Sequence, residues 1–558
     1  MTAFSPRRLH AALERFTKDE GGSLIVFALV LFMLMAMMGG VAQDVMKREA
    51  RQTALMNTLD RATLAAAALS QDLDPESVVR DYVDKSGLGI DLEEIDVVQS
   101  VNGRSVAARG VVDSNPLFLH LIGIDRFDAI GASAAEQRIT NVEIVLVLDV
   151  SGSMSGAKIA NLRTAASEFV ETVLDGDIDN RVSITIVPYN AQVNLGPVLR
   201  PKYNAINQHG VANVNCLELQ SSLYGAPGIS RTAAIPMAAF ADVTNGTNQT
   251  TGYVAWNNVS YSAMQTSAPF CRNETRNIVR LPSNNVATLQ SQINALQAGG
   301  NTSITLGMKW GVALLDPTAR SMYSELIAAN QIPGYFAGRP YDYGDTEAMK
   351  VVVLMTDGEH VSHNRINDAY KTGISPIFRS AGDGNYSIRF ATGRPAAAGT
   401  NQYWVPHLCI SANCTSGANT AEAWRATAWN SGVGVAQLNW QQVWAGPRLS
   451  WVAWQLYARA LGTNAATRTA QYNSAINTLS STYAAVNAMN SSLQTSCNQA
   501  KSNGVIVYGI AFEAPANGQA QISGCASSPA HYFDAQGLEI QTAFRTIANS
   551  ISQLRLTQ

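Results

Sequence analysis

Residues Val142 to Ser153 read Val-Glu-Ile-Val-Leu-Val-Leu-Asp-Val-Ser-Gly-Ser. Six of the first seven are apolar, and most are β-branched or Leu. A short apolar run closed by a Gly/Ser turn predicts a strand buried on both faces. Asp149, Ser151 and Ser153 stand at its C-terminal end. Residues two apart in an extended segment point the same way, so these three oxygens can converge on one point. Ile159, Leu162, Ala166, Phe169, Val170 and Val173 then recur at helical spacing. Strand, oxygen cluster, helix is the layout of an α/β sheet, whose ligands sit beyond the carboxyl ends of its strands.

Two later segments add to the cluster. Gly299-Gly300-Asn301-Thr302 opens a second helical pattern, and the apolar run Val351 to Leu354 leads into Thr356-Asp357-Gly358. Together with Asp149-x-Ser151-x-Ser153, these segments resemble the metal-ion-dependent adhesion site of von Willebrand factor A domains. The resemblance implies a doubly wound, Rossmann-like α/β domain. It also implies that Ser151, Ser153 and Thr302 bind a metal directly, while Asp149 and Asp357 hold it directly or through water. The chemistry agrees independently. Mg²⁺, and likewise Mn²⁺ or Ca²⁺, takes oxygen ligands, and Mg²⁺ is held by few carboxylates. Two Asp with neutral hydroxyls leave the ion under-neutralised, so it favours an acidic side chain supplied by a protein partner. The competing account is that Asp149 and the serines merely cap a helix; capping leaves Thr302 and Asp357 unexplained.

The chain has 558 residues, enough for several domains. A net charge of −3 excludes the basic balance of a nucleic-acid binder. Charged residues are 15% of the chain, below the roughly 25% of ordinary globular proteins. The six cysteines all lie beyond residue 200. Their even number suits disulfides in an oxidising compartment. Sequence leaves the connectivity open; nearest-neighbour pairing gives Cys216–Cys271, Cys409–Cys414 and Cys497–Cys525.

Leu24 to Ala42 carries no charge over 19 residues. As a helix it is about 28 Å long, enough to cross a bilayer core. A cleaved signal peptide is the rival, because Gly40-Val41-Ala42 places small residues at suitable offsets. The long polar leader and the length of the run favour an uncleaved anchor. Residues 1–20 are then a cytoplasmic N-terminus, 21–43 the transmembrane helix and 44–72 a helical stalk ending in an Ala-rich stretch. The cysteines place the bulk outside the inner membrane. Asp44 either marks the end of the apolar run or acts at the membrane surface. The order Glu20-Gly21-Gly22, apolar span, Asp44, basic cluster and Asp60-Arg61-Ala62 resembles the amino-terminal region of TadE/TadG-like proteins of the tight-adherence (Flp) pilus system. Unlike processed pilins, the span has no Glu at its fifth place.

Residues 73–139 predict a small α+β module: a helix from Pro75 to Lys85, strands at Ile95–Val98, Ser105–Val112 and Phe127–Ala132, and a short amphipathic helix from Asn115 to Ile122. Residues 140–558 form the A-like domain, with insertions at about 190–280 and 359–465. The second insertion holds seven of the nine tryptophans. Their spacing at 440, 444, 451 and 454 favours a core over a binding surface. A long helix is expected over 468–500, then a core strand from Gly504 to Phe512. Phe544, Ile547, Ile551 and Leu554 mark a closing helix.

Three functions follow as expectations. The first is a membrane-anchored, non-enzymatic adhesion or assembly protein that captures a pilus or envelope component through the metal. The second is a structural scaffold whose metal only stabilises the loop. The third is a metal-dependent hydrolase using Asp357, Glu359, His360 and His363. Against the hydrolase, there is no Gly-x-Ser-x-Gly or His-Glu-x-x-His motif, and the two histidines read as loop polar residues.

Overall fold

The computed structural model describes residues 23–68, 73–99, 103–138, 141–175, 177, 180–241, 269–345, 348–415 and 421–552. The expected cytoplasmic segment, the end of the stalk at 69–72, part of the first insertion and Leu554 lie outside these. The chain divides into two units, Met1–Arg138 and Ile139–Leu556.

The first unit is built on one helix, α1 (Ser23–Ala67). It is long and apolar enough to cross a membrane, and its Leu24, Phe27, Phe32 and Leu34 are exposed. Past Gly40 the character changes along one face. Leu55, Leu59, Ala62 and Ala66, spaced three or four apart, are buried. They pack on Val78, Val79 and Val83 of α2 (Pro75–Ser86) and on Val106, Ala108, Val112 and Ala129 of a small sheet. Asp74 caps α2, accepting from Ser77 N at 3.0 Å, and Pro75 needs no N–H there. The sheet is antiparallel in the order β1 (Ile90–Gln99), β2 (Gly103–Val112), β3 (Ala129–Arg138). Strand β3 is longer and later than the expected Phe127–Ala132. Its sequence, Ala-Ile-Gly-Ala-Ser-Ala-Ala, has little strand propensity. Its small residues let α1 lie across it: a Cβ on Gly131 would stand 3.1 Å from Leu55.

Asp44 is buried and accepts hydrogen bonds from the backbone N–H of Leu117 (2.9 Å), Phe118 (2.7 Å) and Leu119 (2.9 Å). Asp44 therefore does more than end the apolar run: it pins the loop between β2 and β3. The helix expected over 115–122 shrinks to one turn, Leu119–Ile122. The first amides of a helix have no partner within it; Asp44 takes those of Leu117, Phe118 and Leu119 from outside, and left-handed Gly123 ends the turn after Ile122.

The second unit centres on β4 (Asn141–Asp149), followed by α3 (Ala157–Leu174), β5 (Val182–Tyr189), β6 (Arg280–Ser283), α4 (Val286–Asn294), α5 (Ile304–Leu315), β7 (Ala348–Thr356), α6 (Val486–Ser502), β8 (Ile506–Phe512), α7 (Ala516–Cys525), β9 (Tyr532–Ala535) and α8 (Glu539–Ser552). The sheet order is β9-β8-β7-β4-β5-β6. All neighbours are parallel except β5 and β6. The chain leaves β4 toward β5 on one side and returns to β7 on the other, so a topological switch point lies between β4 and β7.

Alternate residues Val145, Val147, Val187, Tyr189, Val352 and Leu354 face a core filled by α5. The other face takes α3 and α8, whose Phe169 and Phe544 rings meet at 5.8 Å. Helix α5 is buried throughout. It approaches the sheet closely because a Cβ on Gly307 would stand 2.5 Å from the Tyr189 ring, and one on Gly311 2.6 Å from Val147. This close seat fixes where the start of α5, and Thr302 just before it, lies over β4.

Between β7 and α6 the chain builds a second sheet of five short antiparallel strands spanning 374–439. Trp404, Trp424, Trp440, Trp444, Trp451 and Trp454 are buried in its core, which is their packing role. The helix expected over 468–500 is interrupted. Ala465–Leu479 and α6 are separate helices, joined by a strand, Ser480–Ala484, that pairs with His363–Ile366. Cross-strand pairing next to the fully buried Ile366 overrides a local composition that suits helix. The three disulfides are Cys216–Cys271, Cys409–Cys414 and Cys497–Cys525. The last joins α6 to α7, the two helices that flank β8.

Candidate metal centre

The carboxyl ends of β4 and β7 bring the five candidate residues together. Asp149 ends β4 and is completely buried. Its Oδ1 accepts from Ser151 N at 2.8 Å, and its Oδ2 from Thr356 Oγ1 at 2.7 Å. The hydroxyls of Ser151 and Ser153 lie 2.9 Å apart. Ser153 Oγ donates to Asp357 Oδ1 at 2.7 Å. Thr302 closes the ring: a Cβ on Gly358 would stand 3.5 Å from Thr302 Oγ1 and 3.6 Å from Ser153 Oγ.

Backbone bonds lock the contributing loops. Gly152 N donates to Gly300 O at 2.8 Å, and Gly299 N to Val150 O at 2.8 Å. The turn depends on Gly300, whose φ of +90° lies where side chains are disfavoured. Ser303 N donates to Asn190 O, and Val361 N to Thr302 O. Thr302 is thus held from both sides, ahead of the buried α5.

The electrostatics are those of a site short of positive charge. Burial first, and then the nearby charge of Asp357, pushes the Asp149 carboxyl from 3.8 up to about 6. Lys158, near the start of α3, puts Nζ 3.0 Å from Asp357 Oδ2 and 3.5 Å from Glu513 Oε2. It balances one of the two buried charges. The donor set is two carboxylates and three hydroxyls, all oxygen, which suits a hard divalent cation. The residues therefore fit a metal of the Mg²⁺, Mn²⁺ or Ca²⁺ kind.

Sequence reasoning missed Thr356, Tyr189 and Lys158. Tyr189 OH lies 3.4 Å from Asp149 Oδ2 and donates to Met355 O at 2.9 Å. These residues come from other elements, and what marked them was their place: the last residues of strands β5 and β7 and the first turn of α3.

The histidines resolve differently. His360 is buried; its Nε2 accepts from Thr305 N at 3.0 Å, and its Nδ1 lies 2.7 Å from Asn490 Oδ1. That pattern makes it a neutral ring bracing α5 against α6. The side chain of His363 lies outside the described residues. Glu359 is exposed and accepts from Asn517 Nδ2 at 3.0 Å. Cys409, Cys414 and Glu422 also cluster, but the two sulfurs are joined in a disulfide.

No protein-family model matches the chain, and no curated protein matches it in sequence. Solved structures do match in chain trace. The von Willebrand factor domain of a type V pili tip protein from Porphyromonas gingivalis is 12% identical, covering 75% of this chain and 97% of that one, with a TM-score of 0.28. An adhesive tip pilin from Group B Streptococcus agalactiae is 12% identical, covering 74% of this chain and 100% of that one, with a TM-score of 0.26. Proximal thread matrix protein 1 from the mussel byssus, with a zinc-occupied MIDAS motif, is 10% identical, covering 74% of this chain and 48% of that one, with a TM-score of 0.26.

Proposed function

We propose that this chain is a membrane-anchored, non-enzymatic adhesion or assembly protein of the tight-adherence pilus system, which captures a protein partner through a metal-ion-dependent adhesion site. The observation that carries this reading is the meeting of Asp149, Ser151, Ser153, Thr302 and Asp357 at the switch point between β4 and β7. Asp149 and Asp357 would hold Mg²⁺, Mn²⁺ or Ca²⁺ with the three hydroxyls as neutral ligands. When bound, the cation supplies a positive centre that attracts an anionic oxygen. With Lys158 already paired to Asp357 at 3.0 Å, the two carboxylates offer a divalent ion less than its full neutralisation, which suits a partner's Asp or Glu. Ordered, hydrogen-bonded hydroxyls and a neutral, fully engaged His360 speak for binding and against a water-activating base. The apolar part of α1 supports a single-pass anchor in the bacterial inner membrane. The disulfides support an extracytoplasmic second unit and hence a cytoplasmic N-terminus.

The test is capture from envelope extract by the full chain in detergent, with Mg²⁺, with EDTA, and with Asp149→Ala in Mg²⁺. Capture of a pilus or envelope protein only by the unaltered chain with Mg²⁺ is expected. Equal capture in all three arms would overturn the role of the metal.

A further inference from the structure

The loop between β2 and β3 carries apolar side chains that its own unit does not cover. Leu117, Leu121 and Ile122 are 66%, 65% and 53% exposed, and Ile124 is also exposed. Such side chains gathered on one loop of about eight residues are unusual on a surface bathed by water.

The loop is not loose. Its neck is closed by Phe127 N donating to Ser114 O at 3.1 Å. Asp44 holds the amides of Leu117, Phe118 and Leu119. Arg48 Nε donates to Asp128 O at 3.2 Å, and its guanidinium lies 4.8 Å over the Phe127 ring. Arg51 donates to Asp113 O. Three polar residues of α1, at 44, 48 and 51, therefore clamp one loop to one helix face. The clamp also sets its level. A Cβ on Gly40 would stand 2.2 Å from the Phe118 ring, so that ring lies against the helix at Gly40. Gly40 is inside the uncharged run that ends at Ala42. Asp44 is about 6 Å further along the axis. The exposed apolar residues thus sit level with the end of the apolar run.

We propose that this loop is a second membrane contact: Leu117, Leu121, Ile122 and Ile124 enter the headgroup and upper acyl region of the bilayer that α1 crosses. The inference rests on the anchor assignment of α1. Continuity with the apolar surface of α1 selects lipid as the occupant. The charges of the loop agree with an interfacial depth. Arg126 is balanced by Asp113 at 2.7 Å and Asp128 at 3.4 Å, while His120 and Asp125 lie 3.9 Å apart. Lys47, Arg48 and Arg51 follow the end of the apolar run directly, at the level where the chain leaves the bilayer core. Amphipathic segments at interfaces bury their apolar face by about 5–10 Å, which is the reach of such a loop. Two contacts, one through the bilayer and one at its surface, fix the tilt and rotation of α1, as a lone helix cannot. Asp44 is here a positioning residue.

All six cysteines are in disulfides, so an added cysteine offers one thiol for a polarity-sensitive dye. The full chain is placed one copy per lipid nanodisc, labelled at Leu31→Cys, Leu121→Cys or Lys85→Cys, and exposed to lipid carrying a shallow nitroxide quencher. Leu31 reports the span, Leu121 the loop, and Lys85 the exposed end of α2. The expected result is a blue-shifted emission at Leu121 that the shallow quencher suppresses, with no shift or quenching at Lys85. Adding Asp44→Ala to Leu121→Cys should release the loop and abolish that quenching while leaving Leu31 buried in lipid. Lipid contact at Leu31 with none at Leu121 overturns the second contact alone. A blue shift at Leu121 without lipid quenching means that protein covers the loop, and also overturns it. Absence of lipid contact at Leu31 overturns the anchor and the loop contact together.

Discussion

Asp149 and Asp357 are two buried carboxylates with separate partners: Asp149 accepts from Ser151 N and Thr356 Oγ1, Asp357 from Ser153 Oγ and the Lys158 ammonium. The consequence at residue scale is a pH dependence. The folded state holds the Asp149 carboxyl up at about 6, whereas the unfolded chain holds it near 3.8. A raised carboxyl favours the folded state below pH 4, and that advantage is lost as pH rises through about 6. The span between the two values corresponds to at most about 3 kcal/mol. In EDTA, thermal stability should therefore fall between about pH 4 and 6. Asp149→Asn, which cannot titrate, should flatten that slope; an unchanged slope in the variant would assign the loss to other groups. The residues of this cluster were legible because their oxygens fall in three short segments, Asp149-x-Ser151-x-Ser153, Asn301-Thr302 and Asp357-Gly358. Tyr189, Thr356 and Lys158 were not, because a hydrogen bond across neighbouring strands, or a charge from a helix's first turn, leaves no spacing in the sequence.

At the scale of elements, the position of Thr302 depends on how α5 seats on the sheet. Gly307 and Gly311, one helical turn apart, let the helix touch Tyr189 and Val147. A side chain there must push α5 away or displace the strand. Gly311→Leu should destabilise the fold by about 1–3 kcal/mol, read as a lower urea midpoint, and it should weaken metal binding although residue 311 touches no ligand. Normal metal affinity in a destabilised Gly311→Leu would show that the start of α5 is held by its loop bonds alone. The elements also show where local composition misleads. Val142–Leu148 and Val351–Leu354 are apolar runs and became central strands, because burial on both faces leaves one solution. Ser480–Ala484 lies in a helix-like Ala/Asn/Ser stretch, and β3 is rich in Ala. Both became strands through partners far away in the chain: His363–Ile366 for the first, α1 and β2 for the second. Asn115 to Ile122 has the apolar spacing of a helix, yet only Leu119–Ile122 is helical: Asp44 holds the amides of Leu117, Phe118 and Leu119 from across the unit, and left-handed Gly123 ends the turn.

At the scale of the molecule, one end of the chain is apolar helix and the rest is a mixed α/β chain whose switch point gathers oxygen ligands. The first was legible as an uninterrupted 19-residue run; the second was legible from three short segments that only a doubly wound sheet brings together. The clamp of Asp44, Arg48 and Arg51 on a loop more than sixty residues away was not, since each of these charges also fits the end of an apolar span. The central claim is that the switch point holds one divalent cation through Asp149 and Asp357. The most direct measurement is the paramagnetic resonance of Mn²⁺ titrated into the full chain in detergent. One bound Mn²⁺ per chain, displaced by Mg²⁺ and lost in both Asp149→Asn and Asp357→Asn, is the result this account predicts. Absence of binding, or binding that survives both substitutions, would contradict it.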